Sequence, residues 1–208
     1  KDLNKEYNKA KILNNLENPY FVKFIELYDN NLIYEYFESD ILDDIRYNIT
    51  PSILFKILQD ITRCLYLLEK KGYYHLDISL SNILINKDNN IKIIDYSCLS
   101  NNNNISDNPG SFYFVPPEYL INKKLILDKF DVFSIGHILF ILLFKCNLIK
   151  SSKCYMSKCW SFCKNDICNR NDCLSKYLDI FKDKFKIKKI FKKILFNTVT
   201  FDYKKRFS

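Results

Sequence analysis

Two short apolar runs, packed around a polar loop and a polar turn, constrain this chain more than any other stretch. His75-Leu76-Asp77-Ile78-Ser79-Leu80-Ser81-Asn82 leads into Ile83-Leu84-Ile85. After a turn over residues 86–90 comes Ile91-Lys92-Ile93-Ile94, which ends at Asp95. Apolar runs this short, bounded by Asn and Asp, read as buried strands joined in a hairpin. The hairpin carries an acid, an amide five residues later and a second acid into one place. One carboxylate can orient a hydroxyl, while an amide oxygen and another carboxylate are the hard oxygen donors that a small divalent cation such as Mg²⁺ takes.

The flanking elements follow from local signals. Residues 2–16 predict a helix, with Leu3, Tyr7, Ala10, Ile12, Leu13 and Leu16 on an approximate apolar face, ended by Asn18-Pro19. Residues 21–28 and 32–37 predict two strands around the turn Asp29-Asn30-Asn31. Thr50-Pro51 is a cap followed by proline at the first helical position. From there a stripe of Ile53, Leu54, Ile57, Leu58, Ile61, Leu65 and Leu68 runs to Gly72 and reads as core. Residues 97–108 are polar and asparagine-rich and read as a mobile loop.

The spacing of Asp77, Asn82 and Asp95 resembles the H-R-D-L-K-P-x-N and D-F-G motifs of the protein kinases. Further landmarks resemble that family in the same order. Glu35-Tyr36-Phe37 is similar to its hinge, and residues 110–118, ending Pro116-Pro117-Glu118, to G-T-x-x-Y-x-A-P-E. Residues 131–136 resemble the D-x-W-S-x-G that opens a buried central helix, and residues 202–208 resemble D-P-x-x-R-x-S. The resemblance implies an α+β kinase-like fold over residues 1–208: the end of a small β-rich lobe (1–37), then a mainly helical large lobe (38–208) with a cysteine-rich insertion at 146–173.

The resemblance also implies roles. Asp77 orients the attacking hydroxyl, Asn82 and Asp95 hold Mg²⁺, and ATP is the phosphoryl donor. The main chain of Glu35 and Phe37 meets the adenine edge, Tyr34 stands at the gatekeeper position, Asp40 lies near the ribose and Leu84 floors the base. His75 is a packed structural residue, Glu118 and Arg206 form a buried ion pair, and Asp131 accepts bonds from catalytic-loop amides. Ser111, where Ser/Thr kinases carry Thr, favours Ser/Thr of protein substrates. Without the resemblance these residues read as capped loops, an aromatic hairpin and buried strands.

Several positions depart from the pattern. Lys9 stands where the family has its ion-pairing Glu, with Glu6 one turn earlier. Ser79 replaces the catalytic-loop Lys, Leu76 replaces the Arg, and Asp95-Tyr96-Ser97 replaces D-F-G. With three glycines in all, Gly72, Gly110 and Gly136, no glycine-rich phosphate loop is hidden elsewhere, and a strand lysine is also missing. The chain opens on Lys1-Asp2-Leu3 without methionine, which reads as a piece of a longer polypeptide, inactive in isolation. Two readings stay open: a divergent active kinase, and a catalytically impaired pseudokinase acting as a binding scaffold. A small-molecule kinase would share the Asp and Asn loop but would leave Pro116-Pro117-Glu118, the 131–136 motif and Arg206 without a role.

Composition excludes little else. At 48% hydrophobic the chain is too apolar for disorder. The longest apolar run, Ile138 to Phe144, is too short to cross a bilayer and reads as a buried helix. The net charge of +8 is spread among acids except around 182–193, so it reads as the mark of an AT-rich genome rather than of nucleic-acid binding. Cys64 and Cys98 read as small core hydrophobes. Cys154, Cys159, Cys163, Cys168 and Cys173, with Cys146 before them, leave zinc, disulfide and unligated thiol open, although none has C-x₂-C spacing. An intracellular location is favoured with export left open, and the oligomeric state is undetermined.

Overall fold

The computed structural model describes residues 3–45, 48–101, 109–111, 114–122, 124–144, 189–200 and 202–207. The chain divides into two compact units, Lys1–Gly110 and Ser111–Ser208.

In the first unit, α1 (Leu3–Asn15) buries Ala10 and Leu13. The helix stops where Glu17 turns to a φ of 51° and Asn18 redirects the chain. The Asn18 amide donates to the carbonyl of Cys64 at 3.0 Å, and its oxygen accepts from the Tyr20 N–H at 3.1 Å. Strands β1 (Phe24–Tyr28) and β2 (Asn31–Tyr34) pair antiparallel, with Tyr28 opposite Asn31. Asp29 and Asn30 join them with φ of 46° and 59°. Two positive φ values in a two-residue loop suit the right-handed twist of a hairpin, and Asp and Asn tolerate them best after glycine.

Both strands are shorter than their composition suggests. The stretch before Phe24 is drawn elsewhere: Phe21 bridges Ile93 in parallel, and the Ile93 N–H donates to the Tyr20 carbonyl at 2.7 Å. Beyond Tyr34 the backbone leaves the ladder after the Glu35 N–H donates to the Lys23 carbonyl at 2.8 Å.

The short strand β3 (Asp40–Ile41) and the single turn α2 (Leu42–Ile45) follow, with Leu42 fully buried. Next, α3 (Pro51–Lys70) starts as expected, with the Thr50 hydroxyl accepting from the Ile53 N–H at 3.4 Å. Its buried face includes Leu54, Ile57, Leu58, Ile61, Cys64 and Leu68. Burying each large aliphatic side chain contributes about 1.5–3 kcal/mol relative to exposure, so packing holds this helix more than propensity does. Gly72, at φ 76°, ends it.

Strands β5 (Ile83–Ile85) and β6 (Ile91–Ile93) form the expected antiparallel hairpin. Ile83, Ile85, Ile91 and Ile93 are buried, whereas Leu84 and Lys92 pair on the other face. In the turn, the Asn86 side-chain oxygen accepts from the Asp88 and Asn90 N–H groups. β3 adds to the outer side of β5. Residues 97–108, expected to be a mobile loop, depart from that reading at their start: β7 (Ser100–Asn101) pairs antiparallel with β4 (Tyr73–Tyr74). The Ser100 hydroxyl turns back to the Cys98 carbonyl at 2.9 Å, which satisfies a polar residue that is 2% exposed.

The second unit contains α4 (Pro117–Asn122), α5 (Leu127–Phe144) and α6 (Lys189–Thr198). The central helix opens four residues before Asp131, not at it, because the Ile126 carbonyl already accepts from the Lys129 and Phe130 N–H groups. Its Ile138–Leu142 stretch is buried as expected. At Gly136 a Cβ would sit 2.2 Å from Thr198 Oγ1 and 2.6 Å from Val199 Cγ1, so close approach, not backbone freedom, requires glycine. Arg206 and Glu118 form the expected buried pair, at 2.7 Å and 2.8 Å.

No helix among the described residues is long and apolar enough to cross a membrane. Cys64 and Cys98 are buried thiols as expected. The cluster from Cys146 to Cys173 lies outside the described residues.

Candidate active site

The candidate catalytic, metal and nucleotide residues Asp77, Asn82, Asp95, Glu35, Phe37, Asp40 and Leu84 lie in the first unit, whereas Ser111, Glu118, Asp131 and Arg206 lie in the second. The loop before β5 ends in a tight helical turn, Leu80–Asn82, in which the Asn82 N–H donates to the Ser79 carbonyl at 3.2 Å. The Asn82 side-chain amide donates to the Asp77 carbonyl at 2.9 Å. With its nitrogen committed there, the amide presents its oxygen in the other direction. The Asn82 carbonyl in turn accepts from the Ile94 N–H at 2.9 Å, the residue just before Asp95. A short chain of bonds thus runs from Asp77 through Asn82 to the end of β6, which is how residues 18 apart in sequence come to one end of the hairpin.

The two positions where cations were missing are filled differently. Leu76 is fully buried with a φ of 61°, an uncommon conformation for a branched aliphatic residue. Ser79 is also fully buried, its hydroxyl 3.0 Å from that of Ser81.

A cleft of about 510 Å³ opens beside the β5–β6 hairpin, and its walls include Val22, Tyr34, Glu35, Phe37, Leu84 and Asp95. Glu6 and Tyr96 also line it. Asp77 and Asn82 do not, and Asp40 is exposed on β3 opposite Ile85. Glu35 has its N–H committed to Lys23, so it offers the cleft a carbonyl. The Phe37 carbonyl accepts from the Ser39 hydroxyl at 2.9 Å. Partial burial pushes the Glu35 carboxyl up, but the Lys92 ammonium at 2.6 Å and the Lys23 N–H outweigh it, and the carboxyl is held below its usual range. Lys92 also donates to the Phe21 carbonyl at 3.0 Å.

The second acid is held in a turn without glycine. Asp95 has a φ of 61°, and its carboxylate accepts from the Ser97 N–H at 3.0 Å. The Tyr96 hydroxyl donates to the Val22 carbonyl at 2.7 Å. Lys9 Nζ donates to the Ser97 carbonyl. Tyr96 also belongs to an aromatic chain: Tyr7 meets Phe24, Phe24 meets Tyr34, Tyr34 meets Tyr96 and Tyr96 meets Phe21, all edge-on at 5.5–5.9 Å. Phe21 then stacks on His75 with its ring plane 3° from parallel. Contacts of this kind add about 0.5–1.5 kcal/mol each beyond burial.

Titration follows from this packing. Burial lowers the His75 imidazole to about 4, against the opposite pull of Asp77 and Asp95, so the ring is neutral at pH 7. Its Nδ1 accepts from the Asp77 N–H at 3.3 Å, and the ring is fully buried, packed as expected. Burial raises the Tyr34 and Tyr96 hydroxyls, with Asp95 adding to both. Burial lowers Lys9, partly offset by Cys98, Glu6 and Asp95.

Three contacts escaped sequence reasoning: Lys9 with Ser97, the Tyr96 hydroxyl with Val22, and Lys92 with Glu35. Each partner is a main-chain carbonyl or a distant side chain, which leaves no local signature. Tyrosine at position 96 is the one available hint, since a buried phenol needs a hydrogen-bond partner.

The amide oxygen of Asn82 and the carboxylate of Asp95 are hard oxygen donors of the type Mg²⁺ takes. Among the described residues no group of three or more His, Cys, Asp or Glu is gathered in one place.

Comparison with known proteins shows the family. A protein kinase domain model matches residues 1–208, and the chain belongs to that family. A probable serine/threonine-protein kinase KIN1 homolog from Enterocytozoon bieneusi is 30% identical over 148 residues, 66% of this chain and 25% of that protein. Serine/threonine-protein kinase CST20 of Candida albicans is 32% identical over 142 residues, 62% of this chain and 11% of that protein. Calcium-dependent protein kinase 5 of Plasmodium falciparum is 32% identical over 146 residues, 64% of this chain and 25% of that protein. The matched stretch spans a quarter or less of these relatives.

Proposed function

We propose that this chain belongs to a serine/threonine protein kinase that transfers the γ-phosphate of ATP to protein hydroxyls, with Mg²⁺ as cofactor. In this reading residues 1–37 are the remainder of the small lobe and 38–208 the large lobe. The observation that supports the reading is the bonded path from the Asp77 carbonyl through Asn82 to the Ile94 N–H, next to Asp95 at the end of the hairpin. The names of the relatives support the serine/threonine class.

Asp77 accepts a hydrogen bond from the attacking hydroxyl and orients it; as the new O–P bond forms, that proton passes toward the carboxylate and the ADP oxygen leaves. Asn82 and Asp95 are the residues that hold Mg²⁺, whose chemistry is to neutralise charge on the phosphate oxygens. The Glu35 carbonyl and Phe37 N–H form an acceptor–donor edge suited to adenine, and Val22 and Leu84 are apolar walls for its faces. Asp40 takes the family's ribose position, although it does not line the cleft.

The test is Mg²⁺-dependent phosphate transfer by the full-length protein beside Asp77→Asn. Loss of a positioned base lowers turnover roughly 10²–10⁴-fold. Equal rates would sink the enzyme reading.

Burial of Ser79 without a cation favours a second reading, a nucleotide-impaired pseudokinase scaffold. ATP and Mg²⁺ at 100 times Kd stabilise a binder by about 2.7 kcal/mol, and a scaffold that binds neither shows no shift.

A further inference from the structure

We propose that Lys9 is a positioning residue for Asp95, tying the helix α1 to the turn that presents the second acid. The inference rests on the metal-binding role assigned to Asp95 above and goes beyond it.

The turn has a reason to need a tie. Asp95 sits in the left-handed region at a φ of 61°, which disfavours a residue with a Cβ. The carboxylate keeps this conformation while one oxygen is committed to the Ser97 N–H at 3.0 Å. Ser97 is therefore the residue whose position aims the carboxylate. It is held on its other side by Lys9, which donates to the Ser97 carbonyl from a partly buried place on α1, 88 residues away. Tyr96, between the two, is anchored by its hydroxyl to the Val22 carbonyl at 2.7 Å. The two ties act on consecutive residues, from α1 and from the segment before β1. Lys9 is absent from the walls of the cleft, whereas Asp95, Tyr96 and Ser97 form part of them, and the Lys9 ammonium is also attracted electrostatically by Asp95.

A group that orients a metal ligand typically changes metal affinity about 10–100-fold when removed. The experiment uses the full-length protein, with ADP and Mn²⁺ as probes, Mn²⁺ being read by its electron paramagnetic resonance. Lys9→Met, and Lys9→Gln should the first not fold, weaken Mn²⁺ binding to the ADP complex at least roughly tenfold. Affinity for ADP without metal stays within about twofold, because the base and its walls are untouched. Lys9→Arg, which still reaches a carbonyl, restores most of the Mn²⁺ affinity. Unchanged or tighter Mn²⁺ binding in the Met and Gln variants overturns the proposal, as does an equal fall in metal-free ADP affinity. Asp95→Asn in parallel separates the two levels. If it leaves Mn²⁺ binding intact, the assignment of Asp95 fails and this inference with it; if it abolishes binding while Lys9→Met does not, only the role of Lys9 fails.

Discussion

Arg206 in the second unit and Lys9 in the first are both cations drawn out of water, and the fold treats them in opposite ways. Arg206 is 4% exposed and meets Glu118 through two parallel bonds. It also donates to the Thr200 carbonyl at 2.9 Å and lies 4.9 Å over the Phe133 ring. Charge meets charge there, in fixed geometry, among helices. Lys9 is partly buried, and its bond goes to the main-chain carbonyl of a turn. The first arrangement closes on itself and holds a helical framework together. The second converts the rigidity of a helix into the aim of a carboxylate. Burial alone therefore does not separate structural charge from functional charge in this chain; what the partner is connected to does.

The largest test of that contrast is on the Arg206 side. Arg206→Met leaves Glu118 buried without its partner and costs about 3–5 kcal/mol. Urea midpoints read this, and the Arg206→Met, Glu118→Leu double variant should recover a large part of it. If Arg206→Met instead kept its stability and lost metal affinity, the contrast would be reversed.

His75 gives the next largest effect and belongs to the first unit. Its folded value of about 4 lies below the unfolded 6.5, so the unfolded chain binds the extra proton. The contribution is fully favourable above pH 6.5 and is lost as pH falls toward 4, at about 1.4 kcal/mol per unit and about 3 kcal/mol in total. His75→Phe, which keeps a ring to stack on Phe21, removes this component of the acid slope. Parallel slopes for the two proteins between pH 7 and 4 would refute it.

Thr50→Ala is the smallest. Loss of the α3 cap costs about 1 kcal/mol and leaves ADP and Mn²⁺ affinities unchanged. A change in either affinity would mean that the first unit's framework and its cleft are less separable than the contrast requires.

What could be read from the residues beforehand follows from how local each cause is. The cap at Thr50, the stripe along α3 and the turn at Asn86 act within a few residues, so α3 and the β5–β6 hairpin were legible. The short pairs β3 with β5 and β4 with β7 depend on neighbours brought up by the rest of the fold, and nothing in Tyr73-Tyr74 or Ser100-Asn101 announces them. In the site, the spacing of Asp77, Asn82 and Asp95 was visible because one hairpin sets it. The left-handed backbone at Leu76 and the hold of Lys9 on Ser97 were not, because sequence carries no record of which carbonyl a lysine will find.

Lys92 carries a consequence for how a ligand would be received. One ammonium grips both the Glu35 carboxylate and the Phe21 carbonyl, and it projects from β6, the strand that runs on to Asp95. The edge that offers a carbonyl and the strand that delivers the acid are thus already fastened at a set spacing before anything enters the cleft. A nucleotide spanning that distance meets a preformed ruler: the freedom of the two ends is given up during folding, and less remains to be lost on association.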